Sequence, residues 1–183
     1  MLYDAIKQLF PKAVAGTDFL LRDDGEGPFI AQWNLAEPKP TAAALAAAGK
    51  TVLLKQLCAS IDAIADEARK AVAGDALRAV EYEKAAVEAQ TFKEAGYPVG
   101  AVPRTVAAWA INGRTAQQAA DNILAEAAAY SEALYQIREA RLGAKEQVRQ
   151  AMAANQVEQA RLIASATIES IRAAITGIGN AGA

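Results

Sequence analysis

The chain has 183 residues, with 19 Lys and Arg against 21 Asp and Glu, a net charge of −2 and no histidine. This nearly balanced charge gives no bulk attraction for polyphosphate, which argues against a nucleic-acid partner. Without histidine the chain lacks the commonest general acid–base group and the commonest metal ligand. The single cysteine, Cys58, lies in an apolar helical pattern and is interpreted as a small buried residue. We therefore predict a non-enzymatic protein with no catalytic, cofactor-binding or metal-binding residues.

Two features of the sequence argue against a membrane partner. No apolar run approaches the roughly 20 residues that span a bilayer. The first ten residues, MLYDAIKQLF, hold an acid at position four and no long apolar stretch, unlike a secretory signal. We therefore expect synthesis in the cytoplasm.

Residues 1–40 carry most of the turn-forming residues and are predicted to form a small module of one helix and one β-hairpin. Apolar residues recur at helical spacing up to Phe10, and Pro11 ends that helix. The segments TDFLLR and FIAQWNL flank an Asp/Gly turn, which is typical of a hairpin. Phe19 and Leu21 should share one face of the first strand. The corresponding face of the second strand should carry Phe29, Ala31 and Trp33. A lone hairpin is marginal in water, so the first helix or a partner must cover it.

The turn sequence DDGEG, residues 23–27, holds three carboxylates that could attract Ca²⁺. It lacks both the spacing of an EF-hand loop and its distal bidentate Glu. A solvated hairpin turn is the interpretation that we favour.

Alanine dominates from residue 42 onward and favours helices. Thr41 is a suitable N-cap for the first of them, in which Gly49 either breaks the helix or weakens it. A second helix is predicted from about Ala76 to Ala95, with Tyr82 and Phe92 as core aromatic residues.

A short helix, RTVAAWAIN, is predicted to end at Gly113. Its tryptophan, Trp109, is interpreted as a core residue. Thr115 and Gln118 then have the spacing of a capping box, which marks the start of a long helical region.

The region from Ala116 to about Thr176 contains no proline and a long apolar seam. Its positions step alternately by four and three residues, as in a coiled coil or bundle. The register slips near Met152–Gln156, which predicts either a bend or two separate helices. An unbroken helix would be a rod of roughly 90 Å. The isoleucine-rich second half should therefore seek a partner chain. The candidate partner contacts are Val157, Ile168, Ile171 and Ile175, with Phe29 and Trp33 on the hairpin.

These patterns predict a mainly α fold in three parts. Residues 1–40 form the helix and β-hairpin module, and residues 41–150 form an antiparallel helical bundle. Residues 151–183 form a helical extension with a flexible Gly/Ala tail, so that the chain ends in a long, coiled-coil-like helix. We expect homo-oligomers or complexes with other proteins.

Five short stretches of the N-terminal module have an unusual composition and order. They are Tyr3 to Ile6, Gly16 to Phe19, Asp23 to Gly25, Ile30 to Trp33 and Pro38 to Thr41. In this order they resemble the N-terminal module of XkdW-like (YorD-like) phage tail proteins.

Residues 60–148 are similar to a helical domain of phage tail-fibre and tail-fibre-assembly proteins. The similar positions are Tyr82, Lys84 and Ala89, then Gly113, Thr115, Ala119 and Ala120. The two resemblances imply a structural component of the virion tail, in the tail fibre or baseplate, whose partners are other tail proteins. The alternative is a tail-fibre assembly chaperone. A tail-associated hydrolase and a coiled-coil protein unrelated to phage are two further alternatives.

Overall fold

The computed structural model describes residues 2–74 and 76–175, without the side chains of residues 76–78 and 175. The predicted Gly/Ala tail lies outside the described residues. The elements in chain order are α1 (Leu2–Leu9), β1 (Phe19–Asp23), β2 (Pro28–Trp33), α2 (Ala42–Ala73), α3 (Ala76–Glu94), α4 (Arg104–Trp109), α5 (Ala116–Ala153) and α6 (Val157–Ile175). The predicted fold class is confirmed: the chain is mainly helical, with one antiparallel hairpin near its N-terminus.

The first of two compact units comprises Met1–Ile61 and Ala144–Ser165. One of its buried clusters belongs to the N-terminal module and contains Ile6, Ala13, Phe19 and Ile30. The other joins α2, α5 and α6 through residues such as Leu53, Val148 and Ala160. Cys58 is half-buried against this second cluster, so the interpretation of a fully buried residue was too strong.

The second unit comprises Asp62–Gly143 with the residues from Ala166 onward. One cluster joins α2, α5 and α6 through Ile64, Ala65, Ala68, Ile137 and Ile171. Another joins the end of α3, α4 and the start of α5 through Ala89, Phe92, Val106, Ala119 and Ala120. The predicted domain boundaries at residues 40 and 150 stay a prediction, because compact packing does not test independent folding.

The hairpin has a β-bulge that changes which side chains point inward. Leu20 pairs with Gln32 and Leu21 pairs with Ile30, so Ala31 is the extra residue on β2. Because side chains alternate along a strand, one extra residue reverses the alternation beyond it. Ile30 is therefore buried, whereas Ala31 is exposed. The prediction that Phe29, Ala31 and Trp33 share one face was wrong, because Trp33 packs against the module core whereas Phe29 and Ala31 are exposed.

Helix α2 runs through Gly49 without a break, and the Ala44 amide donates to Thr41 Oγ1 (3.1 Å), as expected of an N-cap. Among the described residues, this helix alone is long and apolar enough to cross a membrane by length and composition. The sequence alone did not indicate such a helix, because its apolarity comes largely from alanine. Leu53 and Ile61 of α2 belong to a buried cluster, although only 17% of the apolar window is buried. The absence of a membrane partner stays a prediction.

The register slip near residue 155 separates two helices. Asn155 has a φ of 61°, the left-handed conformation that often ends helices. The Gln156 amide donates to the Ala151 carbonyl (2.8 Å) and the Asn155 amide to that of Met152 (3.2 Å), the two hydrogen bonds of a Schellman motif. The chain therefore forms α5 and α6 rather than one 90 Å rod.

Helix α4 ends at Trp109, earlier than predicted, and Gly113 (φ 82°) lies in the following turn. Other burial predictions also fail. Tyr82 and Trp109 are exposed rather than buried, whereas Phe92 is buried as predicted.

The capping box at the start of α5 is confirmed. The Gln118 amide donates to Thr115 Oγ1 (3.1 Å), and the Thr115 amide donates to Gln118 Oε1 (2.9 Å). Thr115→Ala should lower the free energy of unfolding by about 1 kcal/mol, because the first turn loses a hydrogen-bond acceptor. Urea denaturation followed by circular dichroism measures this loss. Thr115→Ser keeps the hydroxyl and is the control; equal losses in both variants would contradict the capping role.

Candidate interaction surface of the N-terminal module

Three aromatic rings, of Phe10, Phe19 and Trp33, pack at the centre of the N-terminal module, and the exposed Tyr3 lies beside one of them. The Phe10 and Trp33 rings lie 5.1 Å apart, edge to face, and the Phe19 ring lies 6.3 Å from Trp33 and 6.1 Å from Tyr3. Edge-to-face and tilted ring pairs are favourable at these distances. Trp33 Nε1 also donates to the Glu37 carbonyl (2.7 Å). Trp33, a predicted partner contact, is thus half-buried and joins α1 to the hairpin.

The loop between α1 and β1 is held by polar contacts of Asp18 and Lys7. Asp18 Oδ2 accepts the Val14 amide (2.8 Å), and the Asp18 carbonyl accepts the Asn34 amide (2.8 Å). Lys7 Nζ donates to the Pro11 and Ala13 carbonyls (2.6 and 2.8 Å). These contacts hold the loop so that Phe19, the residue after Asp18, lies in the core of the module. The Gly-x-Asp-Phe pattern therefore builds the module.

The acidic turn of the hairpin is closed by its own backbone. Asp23 Oδ1 accepts the amides of Gly25 (2.9 Å) and Gly27 (3.2 Å), and both glycines have positive φ. Within residues 2–74 and 76–175, no group of three or more His, Cys, Asp or Glu is placed to hold a metal ion. The hydrogen bonds that Asp23 accepts are therefore those that close a hairpin turn.

An apolar groove of about 290 Å³ opens beside α1. Among the described residues that line it, Lys50 alone is charged, and Lys50 Nζ donates to Asn155 Oδ1. The other lining residues, from α1, α2 and α6, are Leu2, Ala5, Leu45, Ala46, Gly49, Leu53 and Val157. Such a groove offers contact to an apolar side chain and has no converging polar groups for catalysis. The sequence did not indicate this groove, because it joins three elements that are remote in the chain.

The six predicted partner contacts are distributed between the two units. In the first unit Phe29 is 42% exposed on the hairpin and Val157 lines the groove. In the second unit Ile168 is half-buried and Ile171 is only 3% exposed. Both pack with Ile64 and Ile137 of the same chain, which leaves Ile171 no surface for another protein. The Ile175 side chain lies outside the description.

Polar contacts that no sequence pattern indicated hold the end of α3. Lys93 Nζ (3.1 Å) and the Tyr97 hydroxyl (2.7 Å) both donate to Asp121 Oδ1. These hydrogen bonds, that of Tyr97 first, lower the pKa of Asp121. The same bonds raise the pKa of Tyr97 and the pKa of Lys93, because deprotonation removes the proton that Tyr97 donates and the positive charge that Lys93 holds beside Asp121.

A carboxylate of α3 caps the short helix α4. The Thr105 hydroxyl (2.6 Å) and amide (3.3 Å) both donate to Glu88 Oε2. The hydroxyl bond is the main reason that the pKa of Glu88 is lowered. A side chain at the N-cap usually accepts a backbone amide of the first turn, and here Glu88 of α3 accepts that of Thr105 instead. The lowered pKa of Glu88 therefore has a structural explanation.

Trp109 lies on the surface, with its polar edge and one face engaged. Its Nε1 donates to Asn122 Oδ1 (2.8 Å), and the Arg114 guanidinium lies 5.0 Å from the ring centroid, within cation–π distance. These contacts give a large aromatic residue outside the core two partners on the surface.

The fold and its surfaces define a mainly helical protein with a small aromatic-centred N-terminal module. Residues 2–55 match the family described as XkdW protein. The chain is 53% identical over 45 residues to the Phage-like element PBSX protein XkdW of Bacillus subtilis (strain 168), a stretch of 25% of this chain and 41% of that protein. The chain thus matches less than half the length of this relative.

This similarity covers α1, the hairpin and the first part of α2, and it links the N-terminal segment to a phage-encoded protein. No solved structure matches the chain. The resemblance of residues 60–148 to tail-fibre proteins is not shown by these comparisons.

Proposed function

We propose that the chain is a non-enzymatic bacteriophage tail protein that contacts other tail proteins in the tail fibre or baseplate. The observation that carries the proposal is the 53% identity of the N-terminal segment to a protein of a phage-like element. That segment coincides with the module that packs around Phe19 and Trp33. A module with its own buried core presents its outer face in a fixed geometry, which suits repeated contacts within an assembly.

The contact surface that we propose lies on the exposed side of this module. Phe29 projects from β2, and Leu20 is exposed on β1. Exposed apolar side chains are typical of protein interaction sites. The groove that Val157 lines with Leu2 and Leu45 is a second contact surface in our proposal. The partner is a neighbouring tail protein that inserts an apolar side chain into the groove.

The proposal is tested on purified particles of the phage that encodes the chain. Mass spectrometry should find the chain at a fixed ratio to the major tail proteins. Phe29→Ser should lower its incorporation about tenfold or more, as expected for loss of an aromatic interface anchor. Leu162→Ser, which changes an exposed apolar residue of α6, is the matched control. Unchanged incorporation of Phe29→Ser would contradict the role of the hairpin surface.

The tail-fibre assembly chaperone is the second candidate, favoured by the same exposed module. It gives a different result in the particle experiment. A chaperone is bound to fibre protein during assembly and is absent from finished particles. Absence from the particles together with co-purification with free fibre would therefore replace the structural proposal by the chaperone.

A further inference from the structure

The turn between α4 and α5 contains an asparagine that is followed by a glycine, Asn112 and Gly113. Both residues are exposed, and both have a left-handed backbone, with φ values of 54° and 82°. No atom of a described residue beyond the chain neighbours of Gly113 lies within 4 Å of the place that a Cβ would take. The space around Gly113 is therefore open, and glycine has no side chain to shield its backbone nitrogen.

The two groups of this dipeptide that can react with each other are both free of hydrogen bonds. Within the described part of the chain, neither the Asn112 side-chain amide nor the Gly113 backbone amide has a hydrogen-bond partner. The bond that spans the turn, from the Arg114 amide to the Ile111 carbonyl, is long (3.2 Å). A rotation that brings the Gly113 nitrogen to Asn112 Cγ therefore breaks this long bond and none at the Gly113 amide.

The other asparagines in the described part of the chain are held by hydrogen bonds of their side chains. These bonds join Asn34 to the Thr17 carbonyl, Asn122 to Trp109 and Asn155 to Lys50. Each of these asparagines is also followed by a residue with a side chain, which shields the next backbone nitrogen. Asn112 thus differs from them both in its neighbour and in its hydrogen bonding.

We propose that Asn112 is a site of spontaneous deamidation. The Gly113 backbone nitrogen loses its proton, attacks Asn112 Cγ and forms a five-membered succinimide ring. The bond from Cγ to Nδ2 breaks, and the side-chain nitrogen takes up a proton and leaves as ammonia. Water then adds to either ring carbonyl and opens the ring to aspartate or to isoaspartate. The net reaction consumes one water and releases one ammonia, and it needs no enzyme, oxidant or reductant.

Both products change the turn between α4 and α5. The new carboxylate adds a negative charge two residues from Arg114, whose guanidinium lies 5.0 Å from the Trp109 ring centroid. A carboxylate attracts a guanidinium more strongly than an aromatic ring does. Isoaspartate also adds a methylene to the backbone inside the turn that the Arg114 amide closes. Deamidation therefore draws Arg114 away from Trp109 and loosens the turn. This inference does not rest on the proposed function, because it involves no tail location and no partner.

The test follows the full-length protein during incubation in mildly alkaline buffer. Trypsin then releases the peptide 105–114, because Arg104 and Arg114 mark its ends. Mass spectrometry should find in this peptide the mass gain of an amide hydrolysed to an acid, and chromatography separates the isoaspartate form. Conversion should be about tenfold faster or more than at Asn155, where hydrogen bonds must break first. Equal rates at both asparagines, or an intact Asn112, would overturn the proposal.

Asn112→Gln is the control variant, because glutamine keeps the amide but its extra methylene prevents the five-membered ring. Its peptide 105–114 should keep its mass, and freshly purified parent protein measures any conversion during digestion. Hydrogen exchange in residues 104–118 should become faster on incubation of the parent and stay unchanged on incubation of the variant. An equal increase in both proteins would show that deamidation of Asn112 does not loosen the turn. Circular dichroism confirms that the variant is folded.

Discussion

Phe19→Ala is expected to lower the free energy of unfolding of the N-terminal module by about 3–5 kcal/mol. Phe19 is 1% exposed and its ring lies beside those of Tyr3 and Trp33, so alanine leaves a cavity between α1 and the hairpin. A small domain has only about 5–15 kcal/mol of stability. The substitution should therefore unfold much of the module. Hydrogen exchange of the amides in β1 and β2 measures this change directly.

Phe29→Ala is the control for this experiment, because Phe29 lies on the same hairpin but is 42% exposed. Its truncation should change the stability by about 0.5 kcal/mol or less, as for most surface positions. Together the two variants separate the structural role of Phe19 from the contact role of Phe29. Similar losses of stability would mean that the bulge does not orient the hairpin as described.

Local features of the fold were predictable from the sequence because they depend on neighbouring residues. Thr41 caps α2, and Thr115 with Gln118 caps α5, as their spacing indicated. The hairpin was also predicted from its Asp/Gly turn. The sequence did not predict which side chains of the hairpin point toward the core, because the bulge at Ala31 leaves no clear signal in the sequence. One extra residue was enough to exchange Ile30 for Ala31 on the covered side.

Burial was harder to predict because periodicity identifies a helix face but not what covers it. Tyr82 and Phe92 belong to the same helix, α3, yet one is exposed and the other buried, since the cluster with α4 and α5 forms only near Phe92. The candidate surface was predicted in part for the same reason. Phe29 is exposed as a contact residue must be, whereas the groove beside Val157 requires three elements to meet.

The seam of α6 illustrates the opposite error. Its isoleucines have the spacing of an intermolecular coiled coil, and that spacing alone does not distinguish another chain from the chain's own helices. The break at Asn155 separates α6 from α5 and allows both helices to contribute to one cluster. Ile171 is thereby covered by Ile64 and Ile137.

Ile171→Asp should therefore unfold the second unit rather than release a partner. Removing a buried isoleucine side chain costs about 2–5 kcal/mol, and burying an unpaired carboxylate adds several more. Leu162→Asp is the matched control on α6, because Leu162 is 62% exposed and should tolerate the charge. Urea denaturation followed by circular dichroism measures the stability, and light scattering measures the mass. A folded Ile171→Asp variant with a lower mass than the parent would show that Ile171 contacts another chain. An unfolded variant would show that the seam stabilises its own chain, which leaves the N-terminal surface as the proposed site of contact with a partner.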